Sequence, residues 1–175
     1  HSISDGTAQP VRIEGQAMSH ATMDLQGNLW AYIYKWGRNR LFKSTDNGVT
    51  WTPTAVSQTR QDVYFCAVEA GPDCRYLHCA WNSANTQTFW YTYYQLFDTV
   101  TETWEGTPTV IATGVTFGEN WRFQDLEVTP NGGVAIIANT FGTVAAGLQK
   151  WAGYVFAKPA GATNFQPPKL VHAIS

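Results

Sequence analysis

Three cysteines, four histidines and an unusual number of aromatic rings are the groups through which chemistry would have to run in this 175-residue chain. Cys74, His78 and Cys79 lie close together in sequence, but they lack the paired spacing of a zinc site. Adjacent His78 and Cys79 would also point to opposite faces of a strand, so no metal is expected. No nucleotide-binding glycine loop, nucleophile elbow or zinc motif is present, and no cofactor is expected. Aromatic residues make up 14% of the chain and charged residues only 14%, with eight tryptophans among the former. Rings of this kind, interleaved with Asn, Gln and Arg, suit carbohydrate: sugar rings stack on aromatic faces and their hydroxyls take up polar side chains. The competing reading is that the tryptophans fill a β-sheet core. A net charge of −2 without any Lys/Arg run argues against nucleic acid, because neutralising phosphates needs clustered cations.

The elements that must position these groups are strands. Alternation sets Val63, Phe65 and Ala67 on one face of DVYFCAV, and Leu77, Cys79 and Trp81 on one face of CRYLHCAW. In WYTYY it sets Trp90, Thr92 and Tyr94 against Tyr91 and Tyr93, which explains the tyrosines without a catalytic role. No helical periodicity competes, and the Gly and Pro residues fall at turns, so the chain is expected to be all-β. No apolar run approaches the ~18 residues of a membrane span. A hairpin centred between Pro72 and Asp73 would set Cys66 directly opposite Cys79, where either a cross-strand disulfide or two buried thiols would fit.

The most specific signal is the octet Ser44, Thr45, Asp46, Asn47, Gly48, Val49, Thr50, Trp51. Gly48 supplies a positive φ, Asp46 accepts bonds from turn amides, Ser44 braces the loop and Trp51 anchors the hairpin in a core. Aligned on Trp51, the chain repeats itself at Trp104 and Phe165, followed each time by a short strand (TPTAVS, EGTPTVIAT, QPPKLVHA). A hairpin precedes each copy, turning near Gly27-Asn28, Pro72-Asp73 and Asn131-Gly132. The alignment sets Thr99 and Ala160 where Asp46 stands, and Thr101 and Ala162 where Gly48 stands. Only the aromatic anchor survives in the second and third copies.

The octet resembles the Asp box (BNR repeat) of sialidases and other glycan-directed β-propellers, where it lies between the third and fourth strands of a blade and is structural. The resemblance implies three four-stranded antiparallel blades within a single segment: residues 15–60 with the box, 61–113 and 114–175. Residues 1–14 would supply the closing strand of a preceding blade. Three blades cannot close a ring of about four to eight, so a partial propeller is expected, completed by further blades of the same protein or by an oligomer. A stack of β-meanders closed in some other way is the alternative. The start at His1 fits a processed chain or a piece of a longer one.

In such propellers ligands approach the loops between strands two and three and the links between blades. Transferred here, those loops offer His20, Trp36, Arg38, Arg40, Arg60, Asp62, Asn82, Asn85, Glu119, Trp121 and Arg122. The expected ligand-binding set is Trp36, Arg38, Arg40, Arg60, Asn82, Trp121 and Arg122, with His20, Asp62 and Glu119 as catalytic candidates. A sialidase-like hydrolase would need three arginines for a carboxylate, a Tyr/Glu nucleophile pair and an Asp acid. A polysaccharide lyase would need a His or Tyr base beside an Arg. Neither set is complete, so the expectation leans to an extracellular or virion-surface glycan-binding module. The alternatives are part of a glycan-active enzyme and a scaffold propeller of a phage tail or fibre.

Overall fold

The computed structural model describes residues 3–4, 10–11, 21–35, 38–58, 62–84, 90–112, 121–140 and 152–173. A two-stranded ribbon, β1 (Ile3–Ser4) with β2 (Pro10–Val11), comes first. The first four-stranded sheet is β3 (Ala21–Met23), β4 (Leu29–Lys35), β5 (Arg38–Ser44) and β6 (Thr52–Val56). The second is β7 (Asp62–Ala70), β8 (Tyr76–Ala84), β9 (Trp90–Asp98) and β10 (Thr103–Ala112). The third is β11 (Trp121–Val128), β12 (Val134–Thr140), β13 (Ala152–Lys158) and β14 (Lys169–Ala173). Each is an antiparallel meander in which strands pair in chain order, and none closes on itself. The protein is therefore all-β. No helix among the described residues is long and apolar enough to cross a membrane.

The turns between first and second strands share one geometry. Gly27 donates its amide to the Asp24 carbonyl (3.0 Å), Cys74 to that of Gly71 (2.8 Å) and Gly132 to that of Thr129 (2.8 Å). The donor sits at positive φ each time: 82° at Gly27, 52° at Cys74 and 86° at Gly132. Glycine adopts that conformation freely and cysteine does not, so the middle turn holds its shape against the residue's own preference. In the first turn the Asp24 carboxylate is a buried hub. It accepts from the Gln26 amide (3.0 Å), the Asn28 amide (2.9 Å), Asn28 Nδ2 (2.9 Å) and the Trp30 indole (2.8 Å). Burial alone would raise its pKa, but the Trp30 and Asn28 bonds outweigh that, and the net shift is downward.

The box octet spans the turn from β5 to β6, between the third and fourth strands of its sheet. Asn47 (φ 57°) and Gly48 (φ 85°) are both left-handed. Asp46 accepts from the Thr50 amide (2.8 Å), the Thr50 hydroxyl (2.6 Å) and the Ser44 hydroxyl (2.8 Å), while Ser44 Oγ accepts from the Gly48 amide (2.8 Å). The Trp51 indole returns to the Gly48 carbonyl at 3.1 Å, and its ring packs against Ile33 and Phe42, 7% exposed. Each role foreseen for these residues is filled.

The sheets pack face to face. Trp30, Tyr32 and Leu41 of the first meet Cys66, Val68, Leu77, Cys79, Trp81 and Phe97 of the second, all fully buried. Each large side chain buried in this way contributes about 2–3 kcal/mol. Ring pairs such as Trp30–Phe97 (5.4 Å between centroids) and Phe97–Trp104 (5.2 Å) add edge-on contacts. On the opposite face of the second sheet, Ala67, Ala80 and Tyr94 meet Leu126, Ile136, Tyr154 and Phe156 of the third. The β9 alternation holds here, with Tyr93 in the first interface and Tyr94 in the second.

The cysteine register differs from expectation. Cys66 lies across from Trp81, and Cys79 across from Val68, so the two are diagonal rather than opposite, and all three cysteines are free thiols. The turn after Gly71 takes two more residues, Cys74 and Arg75, before the ladder resumes at Gly71 N to Tyr76 O (2.8 Å), which moves the centre to between Asp73 and Cys74. Cys66 Sγ instead donates to the Tyr32 carbonyl of the first sheet at 3.2 Å. Burial, with Cys66 adjacent, pushes the Cys79 thiol well above its ordinary pKa.

Candidate functional site

In an antiparallel meander the turns between strands one and two and between strands three and four emerge at one end of the sheet. The connection between strands two and three, and the link to the next sheet, emerge at the other. The box octet is therefore at the turn end, and the residues foreseen as ligand-facing belong to the opposite, loop end. Pairing within the sheets bears this out for those on strands. Arg38 pairs with Lys35 at the last rung of β4 and β5, and Arg40 pairs with Ile33 and Val56. Asp62 begins β7 opposite Ser83. Trp121 and Arg122 begin β11 opposite Thr140 and Asn139. Since β7 packs against both β4 and β11, these positions from three sheets come to one end of the molecule.

The first strands of the second and third sheets are irregular close to this end. Register slips between Asp62 and Cys66 in β7, and between Phe123 and Asp125 in β11. Bulges locally bend a strand and re-aim its side chains, and they concentrate beside sites.

The described side chains at this end have defined partners. Arg38, half-buried, donates a guanidinium N–H to the Ser57 carbonyl and so ties β5 to the link that follows β6. The Ser57 amide in turn bonds to the Asn39 carbonyl at 2.9 Å. Arg40 is half-buried as well. Asn82 is fully buried, and its amide nitrogen donates to the Tyr91 carbonyl and the Thr92 hydroxyl, both at 3.1 Å. That places Asn82 within the β8–β9 ladder, where it holds the approach to the loop. His20, Trp36, Arg60, Asn85 and Glu119 lie outside the described residues.

His78 belongs to a different place. It is buried on the face turned to the third sheet, with Nδ1 2.7 Å from the Tyr94 hydroxyl. Burial first, then the nearby Lys158 cation, lowers its pKa to about 4, while burial raises that of Tyr94. At neutral pH the imidazole is uncharged, and it shares one hydrogen bond with the Tyr94 hydroxyl whose direction follows the ring's tautomer, a pairing that fixes the interface rather than one poised for proton transfer. Among the described residues no three His, Cys, Asp or Glu side chains converge to hold a metal ion.

Two carboxylates with structural roles have no box around them. Asp98 accepts from the Val100 amide (2.8 Å) and the Thr101 amide (3.4 Å), and takes Arg75 Nη2 at 2.6 Å. It does for the second sheet's last turn what Asp46 does for the first's, one residue earlier than alignment on the tryptophans places it. Asp24 is the other, and an Asp opening a Gly-containing turn is the sequence signal for it. No protein-family model matches the chain, and no curated protein matches it in sequence.

Proposed function

We propose that this chain is a carbohydrate-recognising module built from blades of the Asp-box propeller type, acting in glycan binding or attachment outside the cell or on a virion surface. The observation that carries the reading is one four-stranded antiparallel unit occurring three times in succession, stacked face to face. Its box turn lies between the third and fourth strands at one end, and Arg38, Arg40, Asp62, Trp121 and Arg122 gather at the other. Arginine and tryptophan, placed at converging strand ends, are residue types that suit a hydroxyl-rich, planar-faced ligand.

Further blades belong to the same proposal. In the repeat the anchoring aromatic reaches the preceding sheet: the Trp104 indole donates to the Val56 carbonyl (2.9 Å), and Phe165 packs edge-on against Tyr94 (5.1 Å). The far face of the third sheet presents Ile137 directly across from Val155, with Ile137 40% exposed. Its counterpart turned to the next sheet, Ala80 in the second, is fully buried. Another sheet stacked there would continue the series.

The test is a glycan array on the wild type and on Trp36→Ala, Trp121→Ala and Arg122→Ala. Binding to a defined glycan set, lost in these variants with unchanged far-UV circular dichroism and no released sugar, supports the proposal. Sugar release that Asp62→Ala or Glu119→Ala abolishes would move the protein to the glycan-active enzymes. Absence of both binding and turnover would overturn the carbohydrate reading.

A further inference from the structure

A separate groove of about 170 Å³ lies away from the loop end, between the last strand of the second sheet and the turn joining β13 to β14. One wall is Glu105, Thr107 and Thr109 of β10, and the other is Lys158, Thr163 and Phe165. Tyr94 and Leu96 line its floor.

The wall on β10 exists because the strand is irregular. Glu105 pairs with Leu96 and Thr109 with Tyr94, so three residues of β10, Gly106 to Pro108, stand against the single residue Gln95. Gly106 takes φ 59°, and Gln95 Nε2 replaces the missing ladder bonds by donating to the carbonyls of Glu105 (3.3 Å) and Gly106 (2.9 Å). A bulge braced by a buried side chain lifts Thr107 into the groove. Pro108 has no N–H to offer along this edge, which disfavours pairing with an added strand.

The opposite wall carries an unneutralised cation. Lys158 Nζ lies 5.2 Å from the Tyr94 ring centroid, and no carboxylate among the described residues is within ion-pair distance of it. Partial burial lowers its pKa, so an incoming anion would relieve a cost already present. Three threonine hydroxyls, each both donor and acceptor, ring the space. Pockets for drug-sized ligands measure roughly 300–1,000 Å³, so this smaller groove admits one small ring.

The geometry points to a binding site for a single sugar ring bearing a carboxylate, a hexuronate-type unit, with its carboxylate on Lys158, its hydroxyls among Thr107, Thr109 and Thr163, and its apolar face toward Phe165. The site is independent of the loop end and deepens the glycan-binding proposal by adding a second, charge-selective contact on the flank of the blades.

The test is a titration of the whole protein with glucuronate, glucose and glycine, followed by amide ¹H–¹⁵N shifts. A lone sugar ring makes few contacts, so dissociation constants in the millimolar range are expected. Glucuronate should shift the amides of Thr107, Thr109 and Thr163, and glucose should bind at least ten-fold more weakly. Lys158→Met, which keeps the alkyl stem over Tyr94, should remove that preference, and Thr107→Val should weaken both sugars. Trp36→Ala and Trp121→Ala should leave these shifts unchanged, which separates failure here from failure at the loop end. No shift at 50-fold molar excess, equal shifts with glucose, a stronger response to glycine, or a preference that survives in Lys158→Met would each overturn the site.

Discussion

Replacing Asp24 by alanine tests whether a buried carboxylate organises the first turn. Of the four donors it serves, only the Trp30 indole is attached to a side chain with no exposed surface. In Asp24→Ala that N–H loses its acceptor inside the interface between the first two sheets, a loss of about 1–3 kcal/mol. The Gln26 and Asn28 amides lie at the surface turn, where water can replace the carboxylate, and add about 1 kcal/mol together. The sum is about 3 kcal/mol. Asp24→Asn keeps one acceptor oxygen but turns an NH₂ toward the remaining donors, and about 2 kcal/mol is expected. With a urea m-value of about 2 kcal/mol/M, the unfolding midpoint falls by about 1.5 M for alanine and about 1 M for asparagine. A double-mutant cycle with Trp30→Phe, which removes the indole donor, should give a coupling of about 1–2 kcal/mol. The pH dependence has a definite sign. The folded pKa lies below the unfolded value near 3.9, so the stabilisation is complete above that value and is lost as pH falls through the folded pKa. The gap between wild type and Asp24→Asn should therefore be full at pH 7 and narrow below about pH 4. A loss under about 0.5 kcal/mol in Asp24→Ala, or additivity with Trp30→Phe, would show that the carboxylate does not organise this turn.

The box turn makes a parallel claim on protonation. The Thr50 hydroxyl, the Thr50 amide and the Ser44 hydroxyl hold Asp46 at about 2, so its contribution is present above about pH 4 and disappears as pH falls through 2. Carboxyl ¹³C titration should find that midpoint, and Thr50→Val should raise it; a wild-type midpoint near 4 contradicts the geometry. Gly48→Ala forces a Cβ into φ 85° without a steric clash, since the nearest atom is Leu29 Cδ1 at 3.5 Å, so a backbone cost of about 1 kcal/mol is expected in urea melts. Native protein should expose one readily alkylated thiol, Cys74, with Cys66 and Cys79 protected until unfolding; three equally fast thiols by mass spectrometry would show that the interface between the first two sheets is open.

Much of the fold could be read locally. Alternating residues gave the strand faces of β8 and β9, and turn residues such as Gly27 and Gly132 marked hairpins because positive φ is a property of single residues. The Ser44–Trp51 octet specified its own hydrogen bonds, since donors and acceptors lie within four residues of one another. The cysteine pairing was less legible: two additional turn residues shift the ladder, and Cys74 holds a glycine's conformation without being glycine. Asp98 was hidden for a similar reason. Its carboxylate reaches the turn from one position earlier, and Arg75, 23 residues away in sequence, completes its partners.

What the sequence determined by itself was the menu of elements: strands with two distinct faces, the turns that reverse them, and a threefold recurrence of the unit. Which faces meet was decided only in three dimensions. Nothing local to Trp104 indicates that its indole will bond to the Val56 carbonyl, 48 residues earlier, or that Cys66 will reach Tyr32. The groove beside Lys158 is of the same kind, assembled from a bulge in one sheet and a turn in the next. Local chemistry fixes backbone angles and alternation within a few residues, whereas these contacts depend on how one apolar sheet face seats on another.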